Sequence, residues 1–187
     1  MVKHIILFGL IITPAVVWAA FKPVRVLAPE LVSGITCKSE VICLDDVSRY
    51  PEAIKLYDEA VEFVVSTVGK IEKKPRVIFC SSQPCFKSFG FNKASAQTIG
   101  KSGIVISPKG WKYYYLRHEI IHYLQAEKMG VISQWRSPDW YIEGMAYLLS
   151  EDPREKLSKS HQEYREMFSK WYETVGNKRL WKAPHEL

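Results

Sequence analysis

Nothing in this chain repeats, and it carries no signature of a nucleic-acid-binding fold, which sets aside solenoids and nucleic-acid partners. Cysteine is scarce, at four residues, and neither close pair, Cys37 with Cys43 or Cys80 with Cys85, has the C-x-x-C spacing of a zinc ribbon. The apolar run from Ile5 to Val17 is shorter than the about 17 to 25 residues that span a bilayer comfortably, although it extends to Phe21 before Lys22 interrupts it. Acids are nearly missing from Lys70 to Lys112. There Glu72 stands alone against Lys70, Lys73, Lys74, Arg76, Lys87, Lys93, Lys101, Lys109 and Lys112.

What is present is ordinary in bulk. A chain of 187 residues has the size of one domain and can bury a core without help from metal or disulfides. Its 47% hydrophobic and 25% charged residues match a globular protein, which confines disorder to the ends. Lys3 ahead of the apolar run, and Val17-Trp18-Ala19-Ala20 after it, read as a secretory signal over residues 1–20, with an uncleaved anchor as the rival. In both cases residues 21–187 form a single exported domain, secreted or periplasmic, because Lys3 stays on the cytoplasmic side. An even number of cysteines suits that compartment. The simplest arrangement is two disulfides, each near pair closing its own loop, while the other pairings stay open.

The chemistry concentrates in His118-Glu119-Ile120-Ile121-His122. On a helix, residues four apart lie one turn above each other, so His118 and His122 can offer two imidazole nitrogens to one metal ion. Glu119 then sits beside the ion, where a carboxylate takes a proton from water that the metal has acidified. The third ligand is Glu143, in Trp140-Tyr141-Ile142-Glu143-Gly144-Met145-Ala146, on a second helix that Ser137 caps and Pro138 opens. Two histidines and one carboxylate leave a position open, which is the pattern of a catalytic zinc rather than of a structural one. Gly144, a helix-interior glycine beside the ligand, implies close packing against the metal-bearing helix.

This H-E-x-x-H motif, followed by Glu-Gly-x-Ala on a later helix, resembles the gluzincin branch of the zincin metallopeptidases, which includes thermolysin-like and aminopeptidase N-like enzymes. The resemblance covers roughly Tyr113 to Asp152. It implies His118, His122 and Glu143 as zinc ligands and Glu119 as general base. Thermolysin-like members place a carboxylate where this chain has Tyr147, so the contact orienting a zinc histidine must come from elsewhere, with Glu151 or a backbone carbonyl as candidates. Tyr147, His161 and Tyr164 are candidates for the oxyanion donor or for support of the ligands.

Periodicity predicts an α+β fold with a short sheet beside the H-E-x-x-H helix and two helices after it, which the resemblance implies is a small zincin-like domain. Phe21 to Asp46 reads as a proline-bearing lead-in tied by Cys37 and Cys43, and a helix runs from Pro51 to Gly69. Strands are expected at Arg76 to Cys80 and Gly103 to Ser107, with a third at Ser95 to Ile99. The metal helix is expected from Lys112 to Met129, its partner from Pro138 to Glu151, and a last helix from Asp152, carrying Leu157 and His161 on one stripe, to Gly176. In zincins the strand before the metal helix pairs with extended substrate, a place that Gly103 to Ser107 holds, unless it is an interior strand. The basic region from Lys70 to Lys112 is either a solvated face or a surface for acidic substrates and anionic envelope surfaces.

These readings converge on an exported zinc peptidase whose partner is a peptide or protein substrate, acidic or envelope-associated, with membrane association through the N-terminus if that segment is retained. The alternative is a catalytically inactive zincin-fold module that binds or assembles in the envelope.

Overall fold

The computed structural model describes residues 16–181. The apolar stretch read as a signal or anchor therefore lies mostly outside the described residues; among those described, no helix is long and apolar enough to cross a membrane.

The domain is α+β, as expected. Its sheet comprises β1 (Thr36–Cys37), β2 (Ile42–Leu44), β3 (Val77–Phe79), β4 (Ala96–Ile99) and β5 (Gly103–Ile106), in the spatial order β1-β2-β3-β5-β4. The inner pairings β2–β3 and β3–β5 are parallel; β1 and β4 run antiparallel to their neighbours. Alternation splits the apolar side chains between two faces. Ile42, Leu44, Val77, Phe79, Ile104 and Ile106 pack toward α1 (Tyr50–Thr67) and α3 (Tyr113–Met129), whereas Cys43, Ile78 and Val105 pack toward α2 (Gln83–Ser88) and the lead-in. The lead-in is more structured than its sequence suggests. It runs through 3-10 turns at Lys22–Leu27 and Pro29–Leu31 and then contributes β1 and β2 to the sheet.

Both disulfides close as the near pairs. Cys37 and Cys43 stand directly opposite each other across the β1–β2 pairing, and Cys80 at the end of β3 is bridged to Cys85 in α2. The described cysteines include no free thiol, which fits an oxidising compartment. Non-reducing peptide mapping of protein purified from its native compartment without reductant is expected to recover the two bridges separately. Four free thiols there would exclude both the pairing and the oxidising compartment.

Past the sheet come α3, the short α4 (Val131–Arg136), α5 (Asp139–Leu149) and α6 (Lys159–Val175). Gly130 ends α3 at φ 84, a left-handed conformation that a β-carbon would strain, and the chain turns there into α4. Three expectations need correction in this half. Ser137 does not cap α5: it closes α4, and its hydroxyl donates to the Ser133 carbonyl at 2.8 Å while Pro138 flanks α5. The last helix begins at Lys159 behind the Ser158 cap instead of at Asp152, because the Asp152 carboxylate is taken up by the Arg154 guanidinium; Leu157 lies outside the helix. Gly144 is required by α6 and not by the metal-bearing helix, since a β-carbon there would fall 2.3 Å from the Tyr164 carbonyl oxygen.

Candidate metal centre

Helix α3 presents His118 and His122 on one face, and α5 brings Glu143 against them, so that ligand atoms of the three residues lie within 4.8 Å of one another. The two Nε2 atoms are 3.0 Å apart. Glu143 completes the triangle, with Oε2 3.6 Å from His118 Nε2 and Oε1 3.5 Å from His122 Nε2. Two imidazole lone pairs cannot face each other at that range, so either a hydrogen on one Nε2 or a metal cation must lie between them.

The electrostatics agree. Burial disfavours the His122 imidazolium, yet the hydrogen bond and charge of Glu143, helped by Glu119 and Gln125, outweigh it and push the His122 pKa up to about 9. Burial likewise raises the Glu143 carboxyl, but His118 and His122 overcome that and hold it well below the usual carboxylate range. A metal ion entering the site displaces the His122 proton. Metal affinity is therefore expected to climb about tenfold per pH unit from neutrality until it levels near pH 9, measured by chelator competition. In the metal-free protein the same raised pKa stabilises the fold fully below about pH 6.5, and that contribution is lost as the pH rises through about 9.

The imidazole of His122 is held by a residue that the sequence reading did not single out. Gln125, fully buried, donates its amide N–H to the Ile142 carbonyl at 2.9 Å, which turns its oxygen toward His122 Nδ1, also at 2.9 Å. A carbonyl oxygen only accepts, so Nδ1 must carry the hydrogen and Nε2 keeps its lone pair for a ligand. Gln134 donates to the same Gln125 oxygen at 3.2 Å and to the His122 carbonyl at 2.8 Å. The available signal was a glutamine three residues after a ligand on the core-facing stripe. Glu151 does not serve this purpose: it is exposed and pairs with Arg117 at 3.6 Å. His118 Nδ1 is buried and has no hydrogen-bond partner among the described residues.

Glu119 is buried beside the triad and does not belong to it. The Thr98 hydroxyl lies 2.6 Å from Glu119 Oε2 and steadies the carboxylate from β4. Tyr147 packs edge-on against the His118 ring with centroids 4.5 Å apart, and its hydroxyl sits 3.0 Å from His161 Nδ1. Burial and the charge of Glu143 push the Tyr147 phenol up to about 12, which keeps it a donor. Tyr164 is set aside from the group, touching it only through His161 at 6.5 Å between ring centroids.

A cleft runs along β4 past the triad in two lobes. One, about 410 Å³, holds His118, Glu119, Tyr147 and His161 together with Lys93, Tyr115 and Arg154. The other, about 370 Å³, lies beyond His122 and Glu143 and is walled by Val131, Trp135 and Ile142. Of the basic run from Lys70 to Lys112, only Lys93 lines either lobe; Lys73, Lys74, Arg76 and Lys101 gather around a separate hollow. Gly103–Ile106 is not the cleft strand either, since β5 is interior, between β3 and β4. The edge belongs to β4, because the chain folds back through Gly100 to pair β5 with β3. Comparison with protein-family models, with curated proteins and with solved structures finds no match.

Proposed function

We propose that this protein is an exported zinc-dependent peptidase, a reading carried chiefly by the convergence of His118, His122 and Glu143 beside an uncoordinated carboxylate, Glu119. A tetrahedral zinc with arms of about 2.0 to 2.1 Å holds its ligands about 3.3 Å apart. The three observed separations, 3.0, 3.5 and 3.6 Å, bracket that value. Two nitrogens and one carboxylate, with an open side toward the cleft, match a catalytic zinc donor set, and the likeness to gluzincins in H-E-x-x-H and Glu-Gly-x-Ala points the same way. Bound there, zinc supplies Lewis acidity that polarises the scissile carbonyl and lowers the pKa of its water to about 7.

The protein's own groups carry the rest. Glu119, held by Thr98, takes the proton of the attacking water and passes it to the leaving amine. His161 is the oxyanion donor in this reading: the Tyr147 phenol donates to Nδ1, which leaves the ring hydrogen on Nε2 for the developing charge. The outer edge of β4 is unpaired within the sheet and lies along the cleft, so an extended peptide can add there as a further strand.

Proton transfer also orients that peptide. The group that protonates the leaving amine must lie on the amine's side of the scissile bond. Glu119 bonds Thr98 but opens into the lobe that Ser95 and Ala96 line at the start of β4, while the lining of the other lobe, by Thr98 and Gly100 at its end, does not include it. The amine half of the substrate therefore occupies the Glu119 lobe and the acyl half the Trp135 lobe, so the peptide runs antiparallel to β4. Peptide-library cleavage by zinc-loaded protein, with the products mapped by mass spectrometry, tests the reading. If no peptide is cleaved, the catalytically inactive binding module replaces it.

A further inference from the structure

The two lobes differ in chemistry. Val131, Trp135 and Ile142 give the acyl lobe an apolar wall, and Trp135 is 83% exposed, which leaves a large flat surface for a ligand to cover. The charged group in that lobe, apart from the site residues His122 and Glu143, is Asp139, an acid. The amine lobe brings cations to the cleft. Lys93 and Arg154 line it, and its carboxylates, Glu119 and Glu143, are the ones assigned to the reaction.

Arg154 is held in place before any ligand arrives. Its Nε donates to Asp152 Oδ1 and Oδ2 at 2.8 and 3.0 Å, its Nη2 donates to the same Oδ2, and its Nη1 donates to the Tyr115 hydroxyl at 3.2 Å. Asp152 is itself buried, so the fork is fixed in orientation, and one hydrogen on each of Nη1 and Nη2 is left over on an arginine that lines the amine lobe. An arginine anchored on one side and open on the other suits a carboxylate.

We propose that the cleft selects a bulky apolar side chain just before the scissile bond, against Trp135, and a carboxylate just after it, on Arg154 and Lys93. This selectivity rests on the peptidase reading for the direction of the chain. Asp139 strengthens it by repelling an acid from the acyl lobe, so the reversed order is disfavoured on both sides. The carboxylate is an acidic side chain or the terminus of a short peptide, and capping the terminus separates the two.

Binding can be read without turnover. Short capped peptides centred on Phe-Glu, on the reversed Glu-Phe and on Phe-Lys would be titrated against zinc-loaded Glu119→Gln by fluorescence anisotropy. Phe-Glu is expected to bind about tenfold more tightly than Glu-Phe, and about threefold more tightly than Phe-Lys, the scale of a partly exposed ion pair. Trp135→Ala should remove the advantage of Phe-Glu over Glu-Phe that comes from the aromatic ring, and Lys93→Glu should reverse the preference for Glu over Lys. Both residues are exposed, so the fold is kept, whereas Arg154→Gln leaves Asp152 buried without its partner and is the weaker test. Equal affinity for Phe-Glu and Glu-Phe, preferences that survive both substitutions, or no binding at all would overturn the proposal. Ordered binding without cleavage by wild type would sustain the selectivity and reject the peptidase; cleavage without these preferences would do the reverse.

Discussion

Zinc-loaded Glu119→Gln is expected to keep the fold and metal content of wild type while losing about 10²- to 10⁴-fold in kcat on any peptide that wild type cleaves. The glutamine has nearly the volume of the glutamate and can still accept from the Thr98 hydroxyl, so the local packing survives. It has no basic oxygen with which to take a proton from water. The loss should therefore fall on kcat with little change in peptide affinity, the pattern of a group that acts only in the transition state. Equal cleavage by both zinc-loaded proteins would reject Glu119 as the base.

The ligand substitutions should act on a different quantity. His122→Ala and Glu143→Ala are each expected to lose stoichiometric zinc, measured by mass spectrometry of metals after dialysis, because each leaves only two protein donors. Gln125→Leu should retain all three donors yet bind zinc about 10- to 100-fold more weakly, since the Nδ1–H of His122 then has no acceptor and the ring no fixed tautomer. Stoichiometric zinc in both alanine variants would exclude the site. Unchanged affinity in Gln125→Leu would show that α3 alone orients the imidazole.

The four-residue spacing of His118 and His122 was legible because helical geometry makes it a statement about space. The central helix was legible from its period and the strands from β-branched runs bounded by Lys, Pro, Ser and Gly, and β3, β4, β5 and α3 fall within a residue or two of expectation. Errors cluster where a local signal competed with a distant partner. Asp152-Pro153 looks like a helix start, but Asp152 instead accepts from Arg154; Ser137 looks like a cap, but it closes the turn before. The short elements β1, β2, α2 and α4 carry too few residues to show any period.

By itself the sequence determined the elements of the site: two histidines and a carboxylate able to converge, a second carboxylate beside them, and cysteines spaced to bridge locally. Each of these depends on separations of a few residues, over which backbone geometry leaves little freedom. Tertiary structure alone decided which strand is the edge, that Gln125 and Thr98 hold His122 and Glu119, and that Arg154 and Trp135 face opposite lobes of one cleft. Gln125 is only three positions from His122, but the contact with Ile142 that turns its oxygen inward spans 17, and Thr98 lies 21 from Glu119. Contacts of that range are set by how whole elements pack against a shared core, which no local pattern encodes.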